Sequence, residues 1–587
     1  MKGGKHFFYL AIILGLAALL RFGDLATTPP GLWSDEAMNG VNTIQALGGG
    51  NWKIYYPENF GREGLFINIQ AIFVKFLGHE PWVLRLPSAI FGVLTVLGLY
   101  FMTKELFGRR AGLFASFFLA TSFWHIIFSR MGFRAIMAPF LLVWSFYFLL
   151  LAIRLASSPR SPTSRGSRTS SRARPDLLIA LAGIMFGLGF HTYIAFRIAP
   201  LLALYPLWLF YKKYRDEKLK DGICAPCLIV LFIFMAIIAA SPLLIYYGLH
   251  PADFLGRTSS ISIFSAPEPL GQFSENVLKT VQMFNFFGDF NWRHNYAGSP
   301  QLWWPVGILF LIGIWKALRK IAGNKNSGLA HSGLLALNPL YGDSDAHTHS
   351  GTRSPSSEFL FPYAEAASKF ILFWFFIMML PVVMSSEGLP HALRSIVLIP
   401  PVMIFAASGL EIVIVKFQEW LAGWKKQFPE KLFQLSRIEQ ELKILLFIFL
   451  LSVAAQSFNQ YFLRWAPNPN VYDSFLGDET KIAHWLNNEP SAIKKYVVTN
   501  STDTADVTGR PLSFAPIIFI TDTYFENKQK EKNIYYLGSA EFDKIDCSSA
   551  CEIVPIESQP TIYQILKEKI PNLHIDGSQG FAVLRNQ

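Results

Sequence analysis

Residues 80–130 read EPWVLRLPSAIFGVLTVLGLYFMTKELFGRRAGLFASFFLATSFWHIIFSR. Two apolar blocks, Arg85–Phe107 and Ala111–Phe128, are separated only by a Gly-Arg-Arg turn. Each is long enough to cross a bilayer as a helix, and arginines beside an apolar block mark the cytoplasmic side. The same alternation recurs along the chain. Further blocks fall at Phe7–Leu20, Ile136–Ile153, Leu177–His191, Ile198–Tyr211, Cys224–Tyr247, Trp303–Ile314, Phe370–Met384, Ser395–Val415 and Leu442–Phe458. The reading is a polytopic α-helical membrane protein with about eleven spans.

Composition agrees. Of 587 residues, 52% are hydrophobic, 15% aromatic and only 16% charged, against about 25% charged in soluble domains. Four cysteines are too few for a disulfide scaffold. The net charge of +11 is uneven: Tyr461–Gln587 carries 12 basic and 16 acidic residues, so the excess sits in the membrane part. Basic loops between apolar blocks account for it, and nucleic acid is excluded as a partner.

Orientation follows by parity. Gly64–Gly78 is 15 residues long and carries Asn68, Gln70 and Lys75, which suits an interfacial helix and not a span. With that segment on the surface, Arg109-Arg110, the six arginines of 154–174, and the YKKYRDEKLK, KALRK and KKQFPEK segments all fall inside. The expectation is N-terminus cytoplasmic and C-terminus outside. Two inner segments, Ser157–Arg174 and Ala322–Glu358, have a disordered composition. The irregularly spaced histidines of the second do not form a ligand pattern, and no metal site is expected.

The expected organisation is a membrane core over 1–460, with a first outer loop at 22–80, followed by an α/β outer domain over 461–587. In that domain KIAHWLNN and TIYQILKEKI have helical spacing, whereas KKYVVT, APIIFIT, NIYYLG and GFAVLR read as strands. Cys547 and Cys551, outside, are expected to be bonded; Cys224 and Cys227, at the cytoplasmic start of a span, are expected to stay free thiols.

The remaining polar residues collect on the outer face. In PPGLWSDEAMNG, Asp35 and Glu36 open a helical stretch after a Pro-Pro-Gly turn. They read as an N-cap and a first-turn acid, or as a carboxylate placed to act as a general base on a hydroxyl. Arg130, Arg134, Arg197, Arg257, Arg293 and Arg394 lie at outer span ends, where arginines are statistically scarce. Guanidinium forks at that depth suit a lipid-linked phosphate. His191, Tyr193, His294 and His391 read as interfacial anchors, and Asp289 is placed to pair with Arg293.

The ordered set resembles the family 39 glycosyltransferases of the GT-C type, related to protein O-mannosyltransferases and the lipid A aminoarabinose transferase. The carrying features are PGLWSDE at 30–36, Arg62-Glu63-Gly64-Leu65, EPWVLRLPS at 80–88 and Ser129-Arg130. HTYIAFRIAP, HPADFLGR, GDFNWRHN and HALRSIVLIPP resemble bacterial members. The resemblance implies a bacterial inner-membrane enzyme. Its donor would be a sugar on a polyprenyl phosphate, and its acceptor a hydroxyl of a lipid, glycan or protein. It also implies inversion, with Asp35 as base and Glu36 positioning it, Arg130, Arg197, Arg257 and Arg394 as candidates for the phosphate and His191, Tyr193, His294 and His391 for the sugar pocket, among membrane lipids and with no certain cofactor. One departure stands out. Where relatives carry Lys-Pro or Pro-Pro after the glutamate, Glu63 is followed by Gly64-Leu65, so Arg62 is the candidate for the donor-contacting charge. The alternative from another class is a multi-span transporter or flippase of a lipid-linked glycan. Such proteins show internal repeats and midplane charges, and no repeat is visible here.

Overall fold

The computed structural model describes residues 2–157, 174–217, 224–260, 262–265, 267–322, 364–386, 388–501, 509–557, 559–570 and 572–586. The two segments expected to be disordered lie largely outside these residues.

The first part of the chain is helical apart from one small hairpin. It runs α1 (Lys2–Phe22), α2 (Ser34–Gly49), β1 (Tyr55–Tyr56), β2 (Arg62–Glu63), α3 (Gly64–Leu77), α4 (Pro81–Phe107), α5 (Arg109–Ala120), α6 (Phe123–Ser129) and α7 (Met137–Ser157). Then follow α8 (Pro175–Leu188), α9 (Pro200–Glu217), α10 (Ala225–Leu249), α11 (Pro251–Ser260), α12 (Pro269–Asn285), α13 (Trp304–Ala322), α14 (Ala364–Val383), α15 (Ile399–Gln427) and α16 (Leu432–Phe458). Every apolar block expected to cross is helical. Among the described residues, seven helices are long and apolar enough to span a membrane, and α5 with α6, bent by 61°, makes an eighth. The helices at His6–Phe22 and Pro175–His191 are shorter, and α13 ends on Lys316, Arg319 and Lys320.

Close helix approach depends on small residues, as expected where apolar side chains gain little by leaving lipid. On α13, a Cβ at Gly313 would lie 1.9 Å from the Phe405 carbonyl oxygen of α15; on α15, one at Gly409 would lie 1.9 Å from that of Leu309. The two helices are therefore in backbone contact.

The bend between α5 and α6 has a local cause. Ser122 caps α6 by accepting from the His125 N–H at 3.3 Å, while the freed carbonyls of Leu119 and Ala120 accept from Arg21 at 3.1 and 2.9 Å. Arg130, just past α6, returns the favour to α1. It donates to the carbonyls of Leu20, Arg21 and Gly23 at 3.3, 3.0 and 2.7 Å. Each cation meets the negative end of a neighbouring helix, Arg21 that of α5 and Arg130 that of α1.

Beyond α16 lie α17 (Pro469–Ser474), α18 (Gly477–Asn488), β3 (Lys494–Thr499), α19 (Ala515–Thr521), α20 (Glu526–Lys532), β4 (Ile534–Gly538), β5 (Cys551–Pro555), α21 (Pro560–Lys569), β6 (His574–Asp576) and β7 (Val583–Arg585). The five strands order as β4-β3-β5-β7-β6, with β3 parallel to β4 and β5 and the β7 pairings antiparallel. APIIFIT, expected as a strand, is α19. Pro516 opens its first turn and all seven residues are buried, and a fully buried run has no alternation from which to read a period.

Leu32, Ala37, Met38, Val41 and Ile44 form one apolar cluster with Ile482, Leu486, Ile517 and Phe519. Thus α2 shares its core with the C-terminal segment. Thr480 accepts from the Leu32 N–H at 3.0 Å, and Gln45 donates to Tyr524 at 2.6 Å.

Both cysteine pairs are bonded. Cys547–Cys551 was expected; Cys224–Cys227 was not. The compartment argument ignored local geometry: two residues between cysteines at the start of α10 bring their Cα atoms to 5.2 Å, within disulfide reach.

Candidate functional site

Asp35 and Glu36 are adjacent and meet opposite fates. The helix starts at Ser34 with Trp33 as its cap residue and no side-chain cap bond, so Asp35 is not the N-cap. It lies half-buried in the first turn, and its Oδ1 accepts from the Asn59 amide at 2.6 Å. Glu36 points the other way. Its side chain is wholly buried, accepts from Arg85 at 3.1 Å on each oxygen, and also takes the Gly132 N–H. Arg85 in turn donates to the carbonyls of Pro29, at 2.8 Å, and Gly31. Glu36 therefore has no face for a substrate; it clamps α2 to α4 and to the turn after α6.

Among the described residues, Arg62, Arg134 and Arg293 lie within electrostatic reach of Asp35. Arg62 arrives on β2, where it is buried and donates to Asn39 and Asn42 of α2. Burial pushes its guanidinium down to about 10; Arg134 adds to the fall and Asp35 opposes it. Arg134, at the entrance to α7, donates to Glu63 at 2.7 Å and feels the charge of Asp35. Arg293 lies 3.9 Å over the Trp33 ring, and burial lowers it against the pull of Asp35 and Asp289. The β1–β2 hairpin supplies Arg62 and, beside it, the Glu63 that holds Arg134, with Tyr56 opposite Arg62 and Tyr55 opposite Glu63.

Asp289 is not simply paired with Arg293. Its carboxylate accepts from the backbone of Asn291 and Ala392, each at 2.8 Å, and lies 3.3 Å from His294 Nδ1 and 3.9 Å from His391 Nδ1. The two imidazoles stack at 5.0 Å. Burial would raise the Asp289 carboxyl; the close approach of His294 and the charges of both histidines hold it below its ordinary value. These three residues offer ligand atoms within 4.8 Å of one another and are the described set able to hold a divalent cation. No sequence spacing announced it, because the ligands come from two distant loops.

Other expected site residues are placed elsewhere. Arg130 is fully buried and spends its fork on five carbonyls and the Tyr461 hydroxyl, so it has no donor left for a phosphate. Arg197 lies 4.2 Å over the Phe254 ring and bonds that residue's carbonyl at 2.8 Å and Tyr247 at 3.2 Å. His191 bonds the Ala239 carbonyl of α10 at 3.0 Å. Arg394 donates to Ser385. Tyr193 is half-buried within the field of Arg134. Arg257 is on α11, and its side chain lies outside the described residues. Asn59 and Trp33 were missed, although Asn-Phe-Gly is a turn signal.

With this geometry in place, comparison with known proteins is informative. Residues 65–162 match the family model for dolichyl-phosphate-mannose-protein mannosyltransferase. The whole chain superposes on ArnT from Cupriavidus metallidurans in the apo state. The TM-score is 0.54 at 12% identity, over 100% of this chain and 98% of that one. The chain has the GT-C fold. The same relative bound to undecaprenyl phosphate gives a TM-score of 0.51 at 13% identity, over 100% and 99%. No curated protein matches the sequence significantly. The tip of the β1–β2 hairpin meets α2 at Asp35, and the turn after α6 meets it at Glu36.

Proposed function

We propose that this chain is an integral-membrane glycosyltransferase that moves a sugar from a polyprenyl phosphate to an acceptor hydroxyl on the outer face of a bacterial inner membrane. The observation that carries this reading is a half-buried carboxylate, Asp35, set among Arg62, Arg134 and Arg293. It lies in a fold shared with a protein whose crystal structure holds undecaprenyl phosphate.

In this reading Asp35 orients the acceptor hydroxyl and takes its proton as the oxygen attacks the anomeric carbon. The lipid phosphate leaves from the opposite face, giving inversion. Its charge is met by Arg134 and Arg293, whose guanidinium forks are fixed by Glu63 and by the Trp33 ring. Arg62, held by two asparagines, contributes a fixed field. Glu36 acts by holding α2, so Asp35 alone makes the chemical contact. The N-terminus lies in the cytoplasm and residues 461–587 outside, where their core with α2 supports the site.

The test is donor choice. Purified protein is given a polyprenyl-phosphate sugar or a nucleotide sugar, with membrane extract as acceptor. Transfer from the lipid-linked donor alone is expected; transfer from the nucleotide sugar alone overturns the reading.

A further inference from the structure

The tip of the β1–β2 hairpin has an unusual backbone. Asn59, Phe60 and Gly61 have φ values of 51°, 64° and 79°, three successive residues in the left-handed region. Asparagine visits that region readily, but phenylalanine does not. At Gly61 a Cβ would sit 1.8 Å from the Tyr55 hydroxyl, so any side chain there would displace Tyr55. The surroundings hold this shape. Lys53 pairs with Glu58 at 3.0 Å, the Gly64 N–H reaches the Ile54 carbonyl at 2.7 Å, and Tyr56 donates to Asn68 at 3.0 Å. Phe60 contributes no compensating burial, for its side chain is 82% exposed. What the strained tip achieves is the placement of one group: the Asn59 amide, 2.6 Å from Asp35 Oδ1. Strain kept at one point is reason to ask what it positions.

We propose that Asn59 is a positioning residue for Asp35. Its amide occupies Oδ1 and fixes the carboxylate plane, leaving Oδ2 as the atom that takes the acceptor proton. Among the described residues no hydrogen bond reaches Oδ2. This rests on the reading of Asp35 as the base. In the step, the acceptor O–H bond breaks and its proton goes to Oδ2. The oxygen forms the new bond to the anomeric carbon, and the bond from that carbon to the phosphate oxygen breaks, its electron pair leaving on the phosphate. The charged groups facing Asp35 are Arg62 from β2, Arg134 from the entrance to α7 and Arg293 from the loop after α12. All three stay in place when Asn59 is changed.

The test uses the detergent-solubilised full chain and needs no identified acceptor. Asp35 is labelled by a water-soluble carbodiimide with an amine nucleophile, and the modified peptide is followed by mass spectrometry as pH is lowered. Asn59→Gly keeps the left-handed backbone and removes only the amide. Loss of the amide uncovers Oδ1, so Asp35 is labelled to a greater extent than in the parent at each pH. Transfer from a polyprenyl-phosphate sugar should fall about tenfold or more in kcat, with KM for the donor little changed, the scale expected for a hydrogen bond to a charged group. Phe60→Gly relaxes the backbone but keeps Asn59, and should label as the parent does. A profile for Asn59→Gly that superimposes on the parent overturns the proposal. So does a Phe60→Gly profile raised as far as that of Asn59→Gly, which would make the backbone and not the amide responsible. The two readings fail separately: an active Asp35→Asn enzyme removes the base, whereas an inactive one beside a normal Asn59→Gly removes only the positioning role.

Discussion

Arg85 holds Glu36 through two hydrogen bonds of 3.1 Å, in a place where neither side chain meets solvent. Breaking one side of such a pair strands a buried charge, which typically costs about 3–5 kcal/mol. Glu36→Gln is therefore expected to lower the melting temperature and the yield of folded protein, measured by fluorescence-detected size exclusion in detergent. A Glu36→Gln protein as stable as the parent, but inactive, would return Glu36 to direct chemistry.

Asp35 is expected to behave in the opposite way. It is half-buried and, among the described residues, its side chain has one hydrogen bond, from Asn59, so Asp35→Asn should fold and melt as the parent does. Loss of a general base then reduces transfer by about a hundredfold or more. Activity within a factor of a few at equal expression would leave Asp35 no catalytic part.

Arg130 lies in a site of carbonyls, not phosphates. Arg130→Gln leaves the end of α1 without its cap, and each buried carbonyl left unpaired costs about 1–3 kcal/mol. The expected result is loss of thermal stability, with KM for the lipid donor unchanged in the fraction that folds. A stable protein with a raised donor KM would restore Arg130 to the phosphate.

His79, between α3 and α4, lies 3.6 Å from Asp522 of the C-terminal segment. Burial lowers it below its ordinary value of 6.5; Asp522 and Glu80 oppose the shift, and Lys532 and Lys528 add to it. A histidine whose folded value is depressed binds its proton more weakly in the folded state than in the unfolded one. Its contribution to stability is thus complete above the ordinary value and declines as pH falls through the depressed one. Melting temperature measured against pH should fall through that window, and His79→Gln should flatten the slope.

The disulfide between Cys547 and Cys551 reports topology. In intact cells a membrane-impermeant maleimide should label these positions only after mild reduction. Labelling that requires permeabilised cells would place residues 461–587, and Asp35 with them, on the cytoplasmic side.

Membrane class and helical blocks were legible because each apolar run states its own length and its own flanking charge; no distant contact is needed to read it. Cys547 and Cys551 were legible for the same reason, being close in sequence. APIIFIT was misread because burial on all sides removes the period, and the C-terminal segment's contact with α2 is what buries it.

Charged residues were the hardest to read. Arg130 and Arg293 both lie between apolar blocks, yet one caps the carbonyls of α1 and the other lies over Trp33. A guanidinium offers the same donors in either setting, and only the meeting of helix ends decides which acceptors it finds. The sequence by itself determined that this chain is a multi-pass membrane protein, that Asp35 lies in the first turn of a helix after a Pro-Gly turn, and that arginines recur between the apolar blocks. Tertiary structure decided that Glu36 is buried against Arg85 while Asp35 lies within electrostatic reach of three cations and accepts from the Asn59 amide. The reason is physical: adjacent residues on a helix point about 100° apart, so the environment of each is set by whatever the fold brings to its side.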